Sequence, residues 1–155
     1  MEQYERFLEE ARNNIKVADH LIYVTYIALN DNKLIIPIAN NIYIASVNSV
    51  ISILYHEKLY KQIHILPTNF DLRLEIFENE VMPKYNIKKE ILSTIKELRM
   101  IRQEHKESPI EFSRKNNYII CTEDYNKIIE INIEKLKTHL KNTKILFDIA
   151  SGLKW

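Results

Sequence analysis

Two arginines and a histidine follow one another at three-residue intervals in the segment LRMIRQEHKESPIEFSR, which runs from Leu98 to Arg114. On a helix, Arg99, Arg102 and His105 would form a tilted row along adjacent faces and could converge on one anion. A guanidinium group binds phosphate oxygens in a bidentate fork, and a histidine exchanges protons near neutral pH. Together they would suffice for metal-independent phosphodiester cleavage, in which the histidine moves a proton and an arginine stabilises the transition-state charge.

Other charged residues of the same segment extend this candidate site. Glu104 could orient the imidazole or favour its charged form. Lys106, Arg114 and Lys115 could add a basic rim that binds backbone phosphates with strong salt dependence. The sequence thus predicts a catalytic set of Arg99, Glu104 and His105 and a phosphate- or RNA-binding set of Arg102, Lys106, Arg114 and Lys115.

The same segment also has a purely structural explanation. His105 follows Leu98 by seven residues and Ile101 by four, on the line of an apolar stripe. Cationic residues near a helix C-terminus complement the helix dipole. On this alternative, Arg99 is held in a surface ion pair and His105 is buried against aliphatic neighbours. In a nuclease, both would instead reach one solvent-accessible cleft.

The composition excludes several other kinds of active site. The chain of 155 residues has 22 Lys and Arg against 21 Asp and Glu, so nucleic-acid binding would need a local cluster, and no signal specific for DNA is present. A single glycine, Gly152, excludes the glycine loops of nucleotide-binding motifs. A single cysteine, Cys121, excludes an internal disulfide and a cysteine-based zinc site. The string HEKLY has Tyr60 where a zinc-protease helix needs its second histidine, so we expect neither a metal nor a cofactor.

The apolar segments favour a cytoplasmic, soluble protein that does not contact the membrane. The N-terminal segment MEQYERFLEEARNN is amphipathic and acidic, unlike a signal peptide. The apolar run KLIIPIANNIYIASV is interrupted by Pro37, Asn40 and Asn41, and we expect it to fall short of a membrane span.

Apolar residues recur at intervals of three and four over most of the chain, which predicts a mainly α-helical fold. A first helix begins near Tyr4 and ends near the string LNDNK. A second begins between Leu34 and Pro37 and is apolar around much of its girth.

Three further helices are predicted. A short third helix is capped by Thr68 or Asn69 and ends before Pro83. Asn86 offers an N-cap for the fourth helix, which ends near Lys106, and Gly152 terminates the last helix.

The segment EFSRKNNYIICTEDY, before the last helix, has a different pattern. Phe112 and the run Tyr118–Ile119–Ile120 flank the polar turn RKNN, which predicts a small β-hairpin or an extended excursion. The sequence therefore predicts one all-α domain over residues 1–155, a bundle of about five helices with a small insertion before the last one.

This layout resembles the HEPN superfamily. The match lies in the string RMIRQEH, where Arg99 and His105 have five residues between them and precede a loop and a final helix. The longer string HKESPIEFSRK also resembles small uncharacterised archaeal proteins. The resemblance implies a small helical domain that is usually a homodimer and, in many members, a metal-independent ribonuclease. In active members the Arg and His of both subunits meet across the dimer interface.

Two functions remain open from the sequence. The first is a HEPN-like endoribonuclease with RNA as its substrate. The second is a noncatalytic helical domain that binds a nucleotide or a cognate protein, which the sequence does not identify, through the same surface. A homodimer is expected in both cases, because the second helix is too apolar to be covered by one helical neighbour.

Overall fold

Five helices and one small antiparallel sheet form the part of the chain, residues 2–60, 62–124 and 127–153, that the computed structural model describes. Helix α1 comprises Gln3–His20, a π-helical turn over Leu21–Thr25 and a last turn over Tyr26–Leu29. Helix α3 likewise comprises Phe70–Ile76, a π-helical turn over Phe77–Val81 and a last turn over Met82–Tyr85. The remaining elements are α2 (Ile35–Leu59), α4 (Lys89–Glu107), β1 (Ile110–Arg114), β2 (Asn117–Cys121), β3 (Ile128–Asn132) and α5 (Ile133–Ser151). The prediction of a mostly helical bundle with a small insertion before the last helix is confirmed.

Helix α2 is the central element of the bundle. It packs against α1, α4 and α5, so three helices of the same chain cover its apolar girth. The expectation of a homodimer rested on α2 needing more than one neighbour, and the chain itself supplies those neighbours. The dimer therefore requires its own test.

The helical segment Asn32–Leu59, which includes α2, is long and apolar enough to cross a membrane by length and composition alone. The expectation that Pro37, Asn40 and Asn41 keep this run short of a span is therefore wrong. Pro37 fits because it lies in the first turn of α2, where a backbone N–H has no partner within the helix. In the apolar window of this segment 50% of the residues are buried, and a core helix of a bundle can be as long and as apolar as a membrane span.

Helix α3 differs from the prediction at its end. Asn69 caps its start as predicted, because its side-chain oxygen accepts from the backbone N–H of Asp71 at 2.8 Å and of Leu72 at 3.3 Å. The helix does not stop before Pro83, however. In the π-helical turn the Met82 N–H bonds to the carbonyl of Phe77, and this wider turn directly precedes the proline, which has no N–H to place.

Asn86 ends α3 and does not cap α4. Its backbone is left-handed, with φ 53° and ψ 43°, a conformation that asparagine tolerates better than most residues. Helix α4 begins instead after Lys88, whose extended backbone carries no side-chain cap. The predicted N-cap is therefore wrong.

The sheet is an antiparallel meander in the order β1-β2-β3. The predicted hairpin is present, with Arg114 paired to Asn117 across a two-residue turn in which Lys115 has φ 56°. The third strand was not predicted, and Tyr125, the last residue of the predicted excursion, lies outside the described residues. One face of the sheet packs on the helices through Tyr118, Ile120, Ile129 and Ile131.

Two apolar clusters fix the position of α4. Its last half contributes Leu98 and Ile101 to a cluster shared with α1, α2, the sheet and α5. Its first half contributes Ile91 and Ile95 to a second cluster shared with α2, α3 and α5. Each fully buried aliphatic side chain stabilises the fold by about 1.5–3 kcal/mol. The side chains between these anchors are thereby held in a defined direction.

Candidate functional site

A groove of about 840 Å³ lies between the first half of α2 and the last half of α4. Its apolar part comes from residues such as Ile36, Pro37 and Ala39 of α2 and Leu98 and Ile101 of α4. Its polar part contains neutral amides and four cationic or titratable side chains of α4, Arg99, Arg102, His105 and Lys106. Among the described residues, no aspartate or glutamate lines it. Such a lining favours an anionic ligand.

The position of these side chains follows from the period of α4. Leu98 and Ile101 are 1% and 3% exposed and face the core. Because residues three and four apart share a helix face, Arg102 and His105 lie beside this stripe, on the side of α2. The row predicted from the sequence thus borders a single groove.

Arg99 is already paired. Its Nη1 atom forms an ion pair with Asp71 at the start of α3, and its guanidinium carbon lies 5.6 Å from the centre of the Phe70 ring. The hydrogen bond from Arg99 lowers the pKa of Asp71, and the same bond raises the pKa of Arg99. Both side chains are exposed, at 40% for Arg99 and 66% for Asp71, so water screens the pair.

Arg102 stacks on an aromatic ring. Its guanidinium carbon lies 5.2 Å from the centre of the Tyr43 ring, and no carboxylate of the described residues forms an ion pair with it. Burial raises the pKa of Tyr43, against the lowering effect of Arg99 and Arg102, so its hydroxyl stays neutral. Stacking holds the guanidinium plane and leaves its N–H groups able to bind an anion.

His105 has a carboxylate partner from the next element of the chain. Its Nδ1 atom lies 2.6 Å from Oε1 of Glu111 on β1. Burial first, and then the charge and hydrogen-bonding capacity of Glu111, raise the pKa of Tyr118 on β2. The Glu111 carboxylate therefore holds His105 by a hydrogen bond and acts electrostatically on Tyr118.

Sequence reasoning missed Glu111 and assigned the orienting role to Glu104. Glu104 is half-buried, does not line the groove, and forms no hydrogen bond to His105. Glu111 lies beyond Pro109, and its closeness to His105 depends on the direction in which the chain turns after α4. Periodicity within a helix carries no signal for that turn.

The predicted basic rim is only partly assembled. Lys106 lines the groove with Arg99, Arg102 and His105. Arg114 and Lys115 are exposed at the tip of the β1–β2 hairpin and do not line it. The backbone carbonyl of Lys115 accepts from Nδ2 of Asn32 at 2.9 Å, which ties this tip to the short turn Asn32–Leu34 just before α2.

Each alternative drawn from the sequence therefore matches one residue. The ion pair of Arg99 is the one expected of a noncatalytic helix end. The side chain of His105 is 42% exposed, as a nuclease requires, and is not buried against aliphatic neighbours. Both residues line the same open groove.

Among the described residues, no group of three or more His, Cys, Asp or Glu is placed to hold a metal ion. No protein-family model, curated protein or solved structure matches the chain.

Proposed function

We propose that the protein is a HEPN-like, metal-independent endoribonuclease that acts as a homodimer and binds RNA in the groove between α2 and α4. The observation that carries this proposal is the convergence of Arg99, Arg102, His105 and Lys106 on one groove without an acidic side chain among its described lining residues. Phosphate oxygens are the natural partners of such a lining.

The proposed chemistry uses the 2′-hydroxyl of the RNA as nucleophile. His105 removes the proton of that hydroxyl, the 2′-oxygen bonds to phosphorus, and the bond from phosphorus to the 5′-oxygen breaks. The products are a 2′,3′-cyclic phosphate and a 5′-hydroxyl end, whose proton comes from a second general acid. In a homodimer, His105 of the second subunit would supply that proton. Arg102 stabilises the charge that accumulates on the phosphate oxygens.

A second candidate function is binding of a nucleotide or of a partner protein without cleavage. The ion pair between Arg99 and Asp71 favours it, because the arginine that carries the HEPN resemblance is partly neutralised in the structure. In this function the groove is the same, but His105 performs no proton transfer.

Cleavage of single-stranded RNA in EDTA tests the proposal. We expect wild-type protein to cleave in the chelator, and His105→Ala to lower kcat by about 10²- to 10⁴-fold, the usual contribution of general acid–base catalysis. His20→Ala is the matched control for His105→Ala, because His20 is exposed on α1 and does not line the groove. All variants must retain the wild-type melting temperature. Absence of cleavage, or equal cleavage by every protein, would favour the noncatalytic function.

The homodimer is tested separately by sedimentation equilibrium at micromolar concentration. We expect a mass of twice 18.5 kDa. A monomer across this range would remove the dimeric part of the proposal and, with it, the general acid that the second subunit supplies.

A further inference from the structure

The imidazole of His105 and the carboxylate of Glu111 are joined across the junction of α4 and β1. The distance from Nδ1 to Oε1 is 2.6 Å, short for a neutral pair and typical of a charge-assisted hydrogen bond. The carboxylate is the more enclosed partner, since the Glu111 side chain is 18% exposed and that of His105 is 42% exposed. Because the carboxylate is more enclosed than the ring, we interpret Glu111 as the fixed partner that holds His105.

Glu111 is itself held by the sheet. Its backbone pairs with Ile120, which is fully buried, so its side chain emerges on the core-facing side of the sheet. Tyr118, two residues before Ile120, lies diagonally opposite on the same face, where side chains of neighbouring strands meet. After burial, the charge of Glu111 is the next cause that raises the pKa of Tyr118, so the two side chains are close neighbours. The carboxylate thus has its hydrogen-bonded partner on α4 and Tyr118 as its neighbour on β2.

We propose that Glu111, supported by Tyr118, is a positioning residue that fixes His105 in the tautomer protonated at Nδ1 and presents its unprotonated Nε2 to the groove. A carboxylate only accepts hydrogen bonds, so the nitrogen that faces it must carry the proton. A neutral imidazole then has its lone pair on Nε2, which is the atom left to accept a proton from a ligand. The catalytic meaning of this arrangement rests on the proposed ribonuclease function, whereas the tautomer does not.

The tautomer can be measured without any activity. In protein labelled with ¹⁵N at histidine, the two ring nitrogens of a neutral imidazole have distinct chemical shifts, and the signals lost in His105→Ala identify those of His105. At about pH 8.5 we expect the Nδ1–H form to dominate in wild type and the Nε2–H form to gain in Glu111→Ala. Glu111→Gln keeps the size of the side chain and an accepting oxygen, and should restore the Nδ1–H form. Tyr118→Phe removes only the hydroxyl and should shift the ratio less than Glu111→Ala.

Glu130→Ala is the matched control for these variants. Glu130 is an exposed carboxylate of the same sheet, on β3 at the other edge. It pairs with Ile119, whose side chain lies on the opposite face from Ile120. Its removal should leave the tautomer ratio as in wild type. Equal ratios in wild type and Glu111→Ala, with both folded, would overturn the proposal. A ratio that changes equally in Glu130→Ala would also overturn it, since the effect would then belong to the sheet as a whole.

Kinetics provide the second readout where wild type cleaves RNA. Misorienting a general base lowers the chemical step, so we expect Glu111→Ala to reduce kcat about 100-fold with KM unchanged, and Glu111→Gln to recover part of the loss. A raised KM with unchanged kcat would overturn the positioning role. If wild type does not cleave, the ribonuclease proposal fails, and the tautomer measurement alone decides the role of Glu111.

Discussion

Neutralising Asp71 should release Arg99 into the groove and strengthen RNA binding. In Asp71→Asn the side chain keeps its size and loses its charge, so the ion pair with Arg99 is lost while the stacking of Arg99 on Phe70 remains. Because both partners are exposed and screened by water, we expect the melting temperature to change little. The effect should appear in binding and not in folding.

The magnitude follows from one additional phosphate contact. Each phosphate neutralised on a single strand changes the slope of log K against log salt by about 0.7. A fourfold rise in salt, from 50 to 200 mM, then weakens that contact about threefold. We therefore expect Asp71→Asn to bind tighter than wild type at 50 mM salt, with an advantage that shrinks about threefold at 200 mM.

Fluorescence anisotropy of a labelled single-stranded RNA, titrated at several salt concentrations, measures both quantities. Glu75→Gln is the matched control, because this substitution removes the same charge from the same helix α3. Glu75 is exposed and does not line the groove. Equal gains in affinity and slope for both variants would mean that only net charge matters. No gain for Asp71→Asn would show that Arg99 does not reach phosphate and would refute the reasoning.

Three further predictions concern stability. Tyr85→Phe removes the hydrogen bond to the buried Glu57 carboxylate and should cost about 1.5–3 kcal/mol in urea unfolding, less if Lys84 compensates. Burial first, and then Glu57, raise the pKa of Tyr85 above 10. The contribution of Tyr85 to the free energy of unfolding is therefore complete below pH 10 and should fall above that pH by at most about 1.4 kcal/mol per pH unit. The same pH dependence in Tyr85→Phe would contradict this. Burial lowers the pKa of His139 from 6.5, so wild type should lose stability below about pH 6.5 more steeply than His139→Gln. The same dependence of the free energy of unfolding on acid pH in both proteins would contradict this prediction. Lys115→Gly should stabilise by about 0.5 kcal/mol, because glycine relieves the left-handed φ of 56° at a smaller entropic cost, and a lower denaturation midpoint would contradict it.

The features that could be predicted from the sequence are those fixed by neighbours within one element. The apolar stripe of Ile91, Ile95, Leu98 and Ile101 defines the inner face of α4, and through it the direction of Arg102 and His105. The α4 side of the groove can therefore be predicted from the sequence, because the helical period alone determines which residues face it.

The features that were missed depend on contacts between elements. The same asparagine can cap the start of one helix or end the previous one, and only the backbone dihedrals of Asn86 distinguish the two. The third strand is as short as the two predicted ones, and its pairing with β2 becomes visible only in the folded sheet. The carboxylate beside His105 could not be chosen between Glu104 and Glu111, because that choice depends on how the chain reverses at Pro109.

Because Glu111 lies on an edge strand, its contact with His105 and the walls of the groove differ in the free energy needed to open them. The walls of the groove belong to α2 and α4, whose anchors lie in the buried clusters, whereas β1 has a hydrogen-bonded neighbour on one side only within the described sheet. Edge strands open by local fluctuations at a lower free energy than global unfolding. A molecule in which β1 has opened would keep its cationic groove and lose the constraint on the imidazole. Amide hydrogen exchange along β1, compared with that of α4, would therefore report how often the groove remains able to bind while the orientation of His105 is lost.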